Sequence, residues 1–356
     1  MKVVQGKTFL LGLLCGFSVA VHAGGDADYN VSAIPAQTPG FGVSIGGLYI
    51  QPSASNLEYA VYTTPLPFPA PNWYQQSVKP DYTAAFTLGL EYNLASKMDQ
   101  FKLDWLHFQG TDSANFSATQ PNTSVGPAYY FGPAQQFLLN TEANSTVKFN
   151  IDNVNLVFAH FINLNDYIQL ELLLGASAAH LKEDIANNYS GSDPVFGPYT
   201  HRVHTDSSLT GFGPRLEVDG RYYVNNHFGV NAGIGSSLLV GRLSSNTNFT
   251  SWTANTTGPT NSTPANTTLS NQRQTAVVPE LDGKIDLFYT TTFNQGSTLT
   301  FELGYMFQDY INSFHQVLPS SLVPGAWEGG SVAIISQTQR QSDLSMNGPY
   351  FKLAYR

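Results

Sequence analysis

Cysteine is nearly absent: the 356 residues hold one, Cys15, and it lies inside an apolar leader. Lys2 and Lys7 flank the start of the apolar stretch Phe9 to Val21, and Val21 and Ala23 suit a signal-peptidase cut before Gly24, so residues 1–23 read as an export signal. Leu14 stands where lipoprotein processing wants a small residue, which argues against a lipid anchor on Cys15. The exported chain then has no thiol, which excludes a disulfide framework and a thiolate metal site. Charge is scarce as well, at 12% of residues, where a soluble domain carries about 25%. No uninterrupted apolar run after Gly24 reaches the ~20 residues of a membrane-spanning helix; the longest, Ile168 to Leu181, is broken by Gln169 and Glu171. Bases are few, 16 against 25 acids for a formal net charge of −9, and loss of Lys2 and Lys7 makes the exported chain more acidic still. Nucleic-acid binding through a basic patch is thereby disfavoured.

What the chain has instead is aromatic residues, 13% of the total, and alternation with period two, which sends successive side chains to opposite faces of a sheet. From Leu281 to Tyr289, Leu281, Gly283, Ile285, Leu287 and Tyr289 share one face and Asp282, Lys284, Asp286 and Phe288 the other. Beyond Asn294-Gln295-Gly296 the pattern repeats over Thr298 to Gln308, which predicts an antiparallel hairpin. Comparable hairpins are predicted for Phe212–Tyr222 with Phe228–Val240, for Tyr82–Asn93 with Phe101–Trp105, and for Val147–Ile162 with Tyr167–Leu181. In that last pair Val147, Phe149 and Ile151 are odd whereas Val154, Leu156 and Phe158 are even, so a β-bulge is expected near Asp152-Asn153. Strands near Phe41–Gln51 and Leu344–Tyr355 complete the set.

Short turns follow Tyr92, Ile162, Tyr223 and Thr292, while long polar connections occupy 52–79, 110–145, 183–204, 243–272 and 313–340. That alternation of short and long predicts an all-β fold: a transmembrane, antiparallel, up-and-down β-barrel of about 10 strands, with 12 as the alternative, short periplasmic turns and long extracellular loops. Residues 24–40 read as a periplasmic N-terminal segment and 41–356 as the barrel. Aromatic girdles are expected at Tyr92, Phe101, Tyr167, Tyr222, Phe228, Tyr289 and Tyr355 on the periplasmic side and at Tyr49, Tyr82, Phe108, Phe149, Phe307 and Tyr310 on the outer side. The C-terminal strand looks like a closing strand read by barrel-assembly machinery, although Arg356 follows the aromatic Tyr355.

The expected lumen lining is Glu91, Lys102, Asp104, Glu171, Arg215, Glu217, Asp219, Arg221, Asp282, Lys284, Asp286 and Glu302, with Glu280 and Lys352 on the same face. An open lumen of this acid-rich kind would favour cations, whereas a filled one would pair the charges into a rigid network. Catalysis is not expected. His201, His204 and Asp206, or Glu280 with Asp282, assemble no nucleophile, oriented base and oxyanion donor at this spacing. The two histidines form at best a metal pair without third and fourth ligands. Gly211-Phe212-Gly213 and Gly233-Ile234-Gly235 read as sheet glycines rather than phosphate loops, because no helix follows. No cofactor is expected.

Several segments resemble the Legionella major outer membrane protein family: Gly46-Gly47-Leu48-Tyr49-Ile50-Gln51-Pro52, Leu103-Asp104-Trp105-Leu106-His107, Gly211-Phe212-Gly213-Pro214-Arg215, Phe228-Gly229-Val230, Leu238-Leu239-Val240-Gly241 and Gly348-Pro349-Tyr350. The resemblance covers most strands but not the loops. It implies a porin-like, surface-exposed outer-membrane protein whose relatives are associated with host-cell contact; the exported chain lacks the cysteines with which some members are cross-linked. Passive diffusion of small hydrophilic solutes or ions is the first expectation, a structural or adhesive barrel with a closed lumen whose loops contact a host or envelope partner is the alternative, and an outer-membrane hydrolase is the least favoured reading. The expected partners are outer-membrane lipid and lipopolysaccharide, barrel-assembly machinery and a host-cell surface ligand.

Overall fold

Hydrogen bonds between consecutive strands account for nearly all of the regular structure. The computed structural model describes residues 33–35, 38–63, 73–95, 98–118, 124–128, 140–193, 197–253, 265–293, 297–319 and 337–356. The export signal lies outside these residues. The strands are β1 (Gly40–Ala54), β2 (Glu58–Thr63), β3 (Trp73–Ser77), β4 (Thr83–Asn93), β5 (Asp99–Ser117), β6 (Ser124–Pro127), β7 (Asn140–Asn163), β8 (Ile168–Asp193), β9 (Gly197–Tyr223), β10 (Phe228–Thr253), β11 (Ala265–Thr292), β12 (Thr298–Pro319) and β13 (Gln337–Tyr355). Ten of them, all but β2, β3 and β6, pair antiparallel with their neighbours, and β13 returns to β1 from Val43↔Tyr355 to Ala54↔Leu344. The β7–β8 pairing leaves this ring without an edge. The three short strands form a small sheet of their own that joins the barrel through β6 and β7.

Short turns gather at one end, and asparagine shapes two of them. Asn165 Oδ1 accepts hydrogen bonds from the amides of Tyr167 and Ile168, both at 2.8 Å. Asn225 repeats the arrangement with the amides of His227 (2.8 Å) and Phe228 (2.9 Å). Such side chains close a turn in place of the backbone. At the same end Ala33 packs with Tyr223 and Phe288, and its amide donates to Asp166 O at 3.0 Å.

The outer face carries an apolar band from the turn end upward. On β10 it runs from Phe228 to Val240, both about half exposed. Twelve steps of about 3.3 Å at a tilt near 45° give a height of about 28 Å, close to a bilayer's hydrocarbon core. The periplasmic girdle expected from the sequence is there: Tyr92, Phe101, Tyr167, Tyr222, Phe228, Tyr289 and Tyr355 are all exposed. On the opposite rim Tyr49 stacks on Tyr82 with ring centroids 5.3 Å apart.

The strands do not stop at that rim. β7 to β11 have 24 to 28 residues each, whereas a tilted membrane strand needs about 9–11. Much of the sequence read as loop at 110–145, 183–204, 243–272 and 313–340 is therefore strand that continues the barrel outward. Ser-, Thr- and Asn-rich stretches of this kind hide their alternation because few inward positions are large. On β10 the inward residues above the rim are Leu243, Ser245, Thr247 and Phe249, two apolar and two polar.

No bulge occurs at Asp152-Asn153. The registers of β7 with β5 and with β8 run through that point without a shift. The backbone keeps its phase while the apolar face changes sides: below Asn153 the outward residues Val154, Leu156 and Phe158 meet lipid, and above it the inward residues Val147, Phe149 and Ile151 are buried. Phe108, Phe149 and Tyr310 accordingly point into the barrel instead of joining the outer girdle. Register shifts fall between Leu243 and Ser245 and between Tyr310 and Phe314, the latter beside Asn312, whose φ of 56° lies in the left-handed region that asparagine tolerates.

Candidate functional site

The structure places all twelve expected lining residues on the inner face, and most are buried, Glu171 and Asp219 to 1% exposure. They lie in one charge layer made of several ion-paired groups, and Asp104 has no ion-pair partner among the described residues. Arg215 grips Asp282 with both guanidinium nitrogens, Nη1 to Oδ1 at 2.7 Å and Nη2 to Oδ2 at 2.9 Å. Nη2 also donates to Glu217 Oε2 at 2.8 Å. Lys284 links Glu217 (3.2 Å) to Asp219 (2.7 Å). Lys102 pairs with Glu171, Arg221 stands 3.9 Å from Glu302, and the C-terminal Arg356 reaches Glu91 at 2.6 Å. Asp286 accepts from Asn231 (2.9 Å) and from the Tyr350 hydroxyl (2.6 Å). Two-pronged pairing of this kind fixes geometry as well as charge.

Local sequence makes the grip possible. Arg215 on β9 and Asp282 on β11 meet across β10 at Gly235, which pairs with Glu217 on one side and Asp282 on the other. A Cβ at Gly235 would lie 2.6 Å from Arg215 Nη2 and 2.8 Å from the Asp282 carboxylate, so a side chain there would push the pair out of the position it takes over the strand. Asp104 lines a cavity of 190 Å³ against the charge layer, with Asn153, Arg215, Asp282, Lys284 and Lys352 among its neighbours.

Above the charges lies a polar cap that sequence reasoning missed. Asn153 Nδ2 lies 3.0 Å from Tyr310 Oη and 3.3 Å from Glu280 Oε1, and Gln308 Nε2 donates to both of the same partners. Unbroken parity along β7 would have put Asn153 inside. The cap gives way to an apolar core that fills the outer half of the lumen: Ile50, Phe108, Phe149, Ile151, Leu181, Leu209, Val278, Phe314 and Leu344 are among its fully buried members. Glu183 is sealed into this core, with Asn56 Nδ2 donating to its Oε2 at 2.7 Å and no partner for Oε1. Burial pushes its carboxyl up to about 8, against the smaller opposing pull of Asn56 and Arg340.

His201 and His204, at best a metal pair by their spacing, part company. His201 faces inward, and burial takes its imidazole down to about 4, whereas His204 faces outward. Register adds a residue that spacing alone could not supply: Asp184 on β8 sits directly opposite Asp206 on β9. His204 Nε2 is 3.0 Å from Asp184 Oδ1 and 3.8 Å from Asp206 Oδ2, and the three donor atoms lie within 4.8 Å of one another, a three-ligand set for a divalent cation with its further positions open. Burial, and then the facing Asp184, raise the Asp206 carboxyl despite His204. Glu280 and Asp282 stand in the lumen, on the other face of the sheet from this trio.

The family described as Legionella pneumophila major outer membrane protein precursor matches residues 33–356. No curated protein matches the chain. Among solved structures, the outer membrane protease OmpT of Escherichia coli is similar at 8% identity and a TM-score of 0.38, over 88% of this chain and 95% of that one. The Pseudomonas putida toluene transporter TodX is similar at 8% identity and a TM-score of 0.34, over 89% and 90%, and a Pseudomonas aeruginosa FadL homologue at 8% and 0.27, over 91% and 95%.

Proposed function

We propose, for a chain that belongs to the Legionella major outer membrane protein family and resides in the outer membrane, that it is a closed structural barrel presenting its outer tips to a partner at the cell surface. One observation carries this reading: buried apolar side chains fill the outer half of the lumen, above the charge layer and the cavity beside Asp104. A water-filled pore leaves its lining accessible, as in barrels of 16 or more strands, whereas a narrow barrel is filled by side chains. Here Arg215, Asp219 and Glu171 are buried in a mutual charge layer, and Phe149, Ile151, Phe314 and Leu344 above them are at 0 to 1% exposure. The strand extension beyond the rim has no use in crossing a bilayer, but it holds whatever follows it well away from the lipid. We assign no catalysis, because the outward Asp184–His204–Asp206 trio and the inward Glu280 and Asp282 share no cleft.

A second reading, diffusion of small hydrophilic solutes, is favoured by the 190 Å³ cavity beside Asp104 and Lys352. It would require that cavity to extend through the apolar core. Single-channel recording of the folded protein in planar bilayers separates the two. The closed barrel gives no discrete conductance, and reproducible steps of fixed size would overturn it in favour of the channel.

A further inference from the structure

Cations on the outward faces of the strands are confined to one side of the barrel. Among the described residues, Lys148, Lys182, Arg202, Arg242 and Arg273 are exposed there, all on β7 to β11, and the outward faces of β12, β13, β1, β4 and β5 carry none. Their height is set by the register. The last apolar row across β7 to β11 is Val154–Ala178–Phe212–Val240–Val277. The row immediately above places His180 and Arg242 either side of Thr210, and the next places Lys182 beside Ser208, with Arg273 at matching height on β11.

Two rows span about 7 Å along a strand, and neighbouring strands are about 4.8 Å apart, so these side chains reach one compact area at the depth of the outer-leaflet headgroups. None of Lys182, Arg242 and Arg273 forms a salt bridge among the described residues. Of the outward acids around them, Asp152 in the lower row is engaged by His107 at 2.8 Å and Trp105 at 3.2 Å, while Asp184 and Asp206, one row above Lys182, face His204 at 3.0 and 3.8 Å and Asp206 also feels the charge of Lys182, so Arg242 and Arg273 are the cations with no acid beside them. In an acidic protein, unpaired cations over hydrocarbon are costly unless an anion meets them, and guanidinium groups match phosphate oxygens in geometry.

We propose that Lys182, Arg242 and Arg273 bind the phosphate groups of an anionic glycolipid headgroup in the outer leaflet, on this one side of the barrel. The hydroxyls of Thr210, 2.9 Å from His180 Nδ1, and of Ser208, 2.9 Å from Ser244 Oγ, each keep the capacity for a second hydrogen bond, to the same headgroup, and the lipid's acyl chains lie along Phe212, Val240 and Val277.

The test folds the protein into phosphatidylcholine vesicles, with and without lipopolysaccharide, and measures the lipopolysaccharide retained after detergent extraction and washing. Each basic side chain near an anionic lipid surface is worth about fivefold in affinity, so Lys182→Gln, Arg242→Gln and Arg273→Gln together lose about a hundredfold. Arg202→Gln, four rows above Thr210, leaves binding unchanged, and dephosphorylated lipopolysaccharide binds wild type as weakly as the triple variant binds the intact lipid. Should the triple variant fail to fold, the single substitutions each show their own fivefold loss. Equal retention by wild type and variants, equal binding of the dephosphorylated lipid, or competition by inorganic phosphate at comparable affinity would each overturn the proposal, the last by marking a free-anion site.

Discussion

Glu183 offers the sharpest quantitative check on the packed outer lumen. Its carboxyl is fully buried among apolar side chains and rises from 4.5 to about 8. The folded chain thus holds this proton more tightly than the unfolded one. Its contribution to stability is fully present below pH 4.5 and is lost as the pH rises to and past about 8. A rise of this size corresponds to about 5 kcal/mol once the group is ionised, at about 1.4 kcal/mol per pKa unit. Glu183→Gln keeps the shape and the hydrogen bond from Asn56 and removes the titration. Urea unfolding of both proteins in phospholipid vesicles, at intervals from pH 5 to pH 9, gives two stability curves. Their difference cancels the titrations they share, including that of His201. The variant is expected to gain on wild type by about 4 kcal/mol across this range, the part of the 5 that falls above pH 5. A difference that stays flat within about 1 kcal/mol would refute the claim that water is excluded from this part of the lumen.

Two further substitutions probe the layers on either side. Phe314→Ala removes a fully buried ring that faces Phe149 at 6.4 Å, and is expected to cost about 3–5 kcal/mol in the same unfolding assay. Arg215→Met strips the shared partner from Glu217 and Asp282 and is expected to destabilise by about 3–5 kcal/mol; adding Asp282→Asn should recover part of that loss, and a double variant no more stable than the single would show that the pair is not coupled.

The parts of the fold below the rim were legible in sequence because each strand there meets lipid on one side and charge on the other. Leu281 to Tyr289 and its partner Thr298 to Gln308 pair with Tyr289 opposite Phe301, as their patterns imply. Above the rim the contrast fades, since Ser, Thr and Asn satisfy either face. The stretch 245–251 therefore reads as loop although its backbone pairs on both sides. The Asp152-Asn153 step misled for a related reason. A change in which residues are apolar looks in the sequence like a change in backbone phase, and the expected outward position of Phe149 depends on it; Phe108 shares the parity of the inward Lys102 and Asp104, so nearness to a strand end is a weaker guide to its side than alternation. Glu183 and Asp184 gave no local signal at all, because Asn56 lies 127 residues from the first and Asp206 meets the second only through strand register.

The inversion at Asn153 has a consequence for what this barrel is made of. Below that row the protein is built for oil outside and salt inside; above it, apolar side chains fill the middle and polar ones face water, the plan of an ordinary soluble β-protein. One unbroken set of strands thus welds two materials with opposite solvent requirements. A charge placed at an outward position such as Leu216 should be ruinous, whereas the same charge far higher on the same strand, at the exposed Thr200, should pass almost unnoticed.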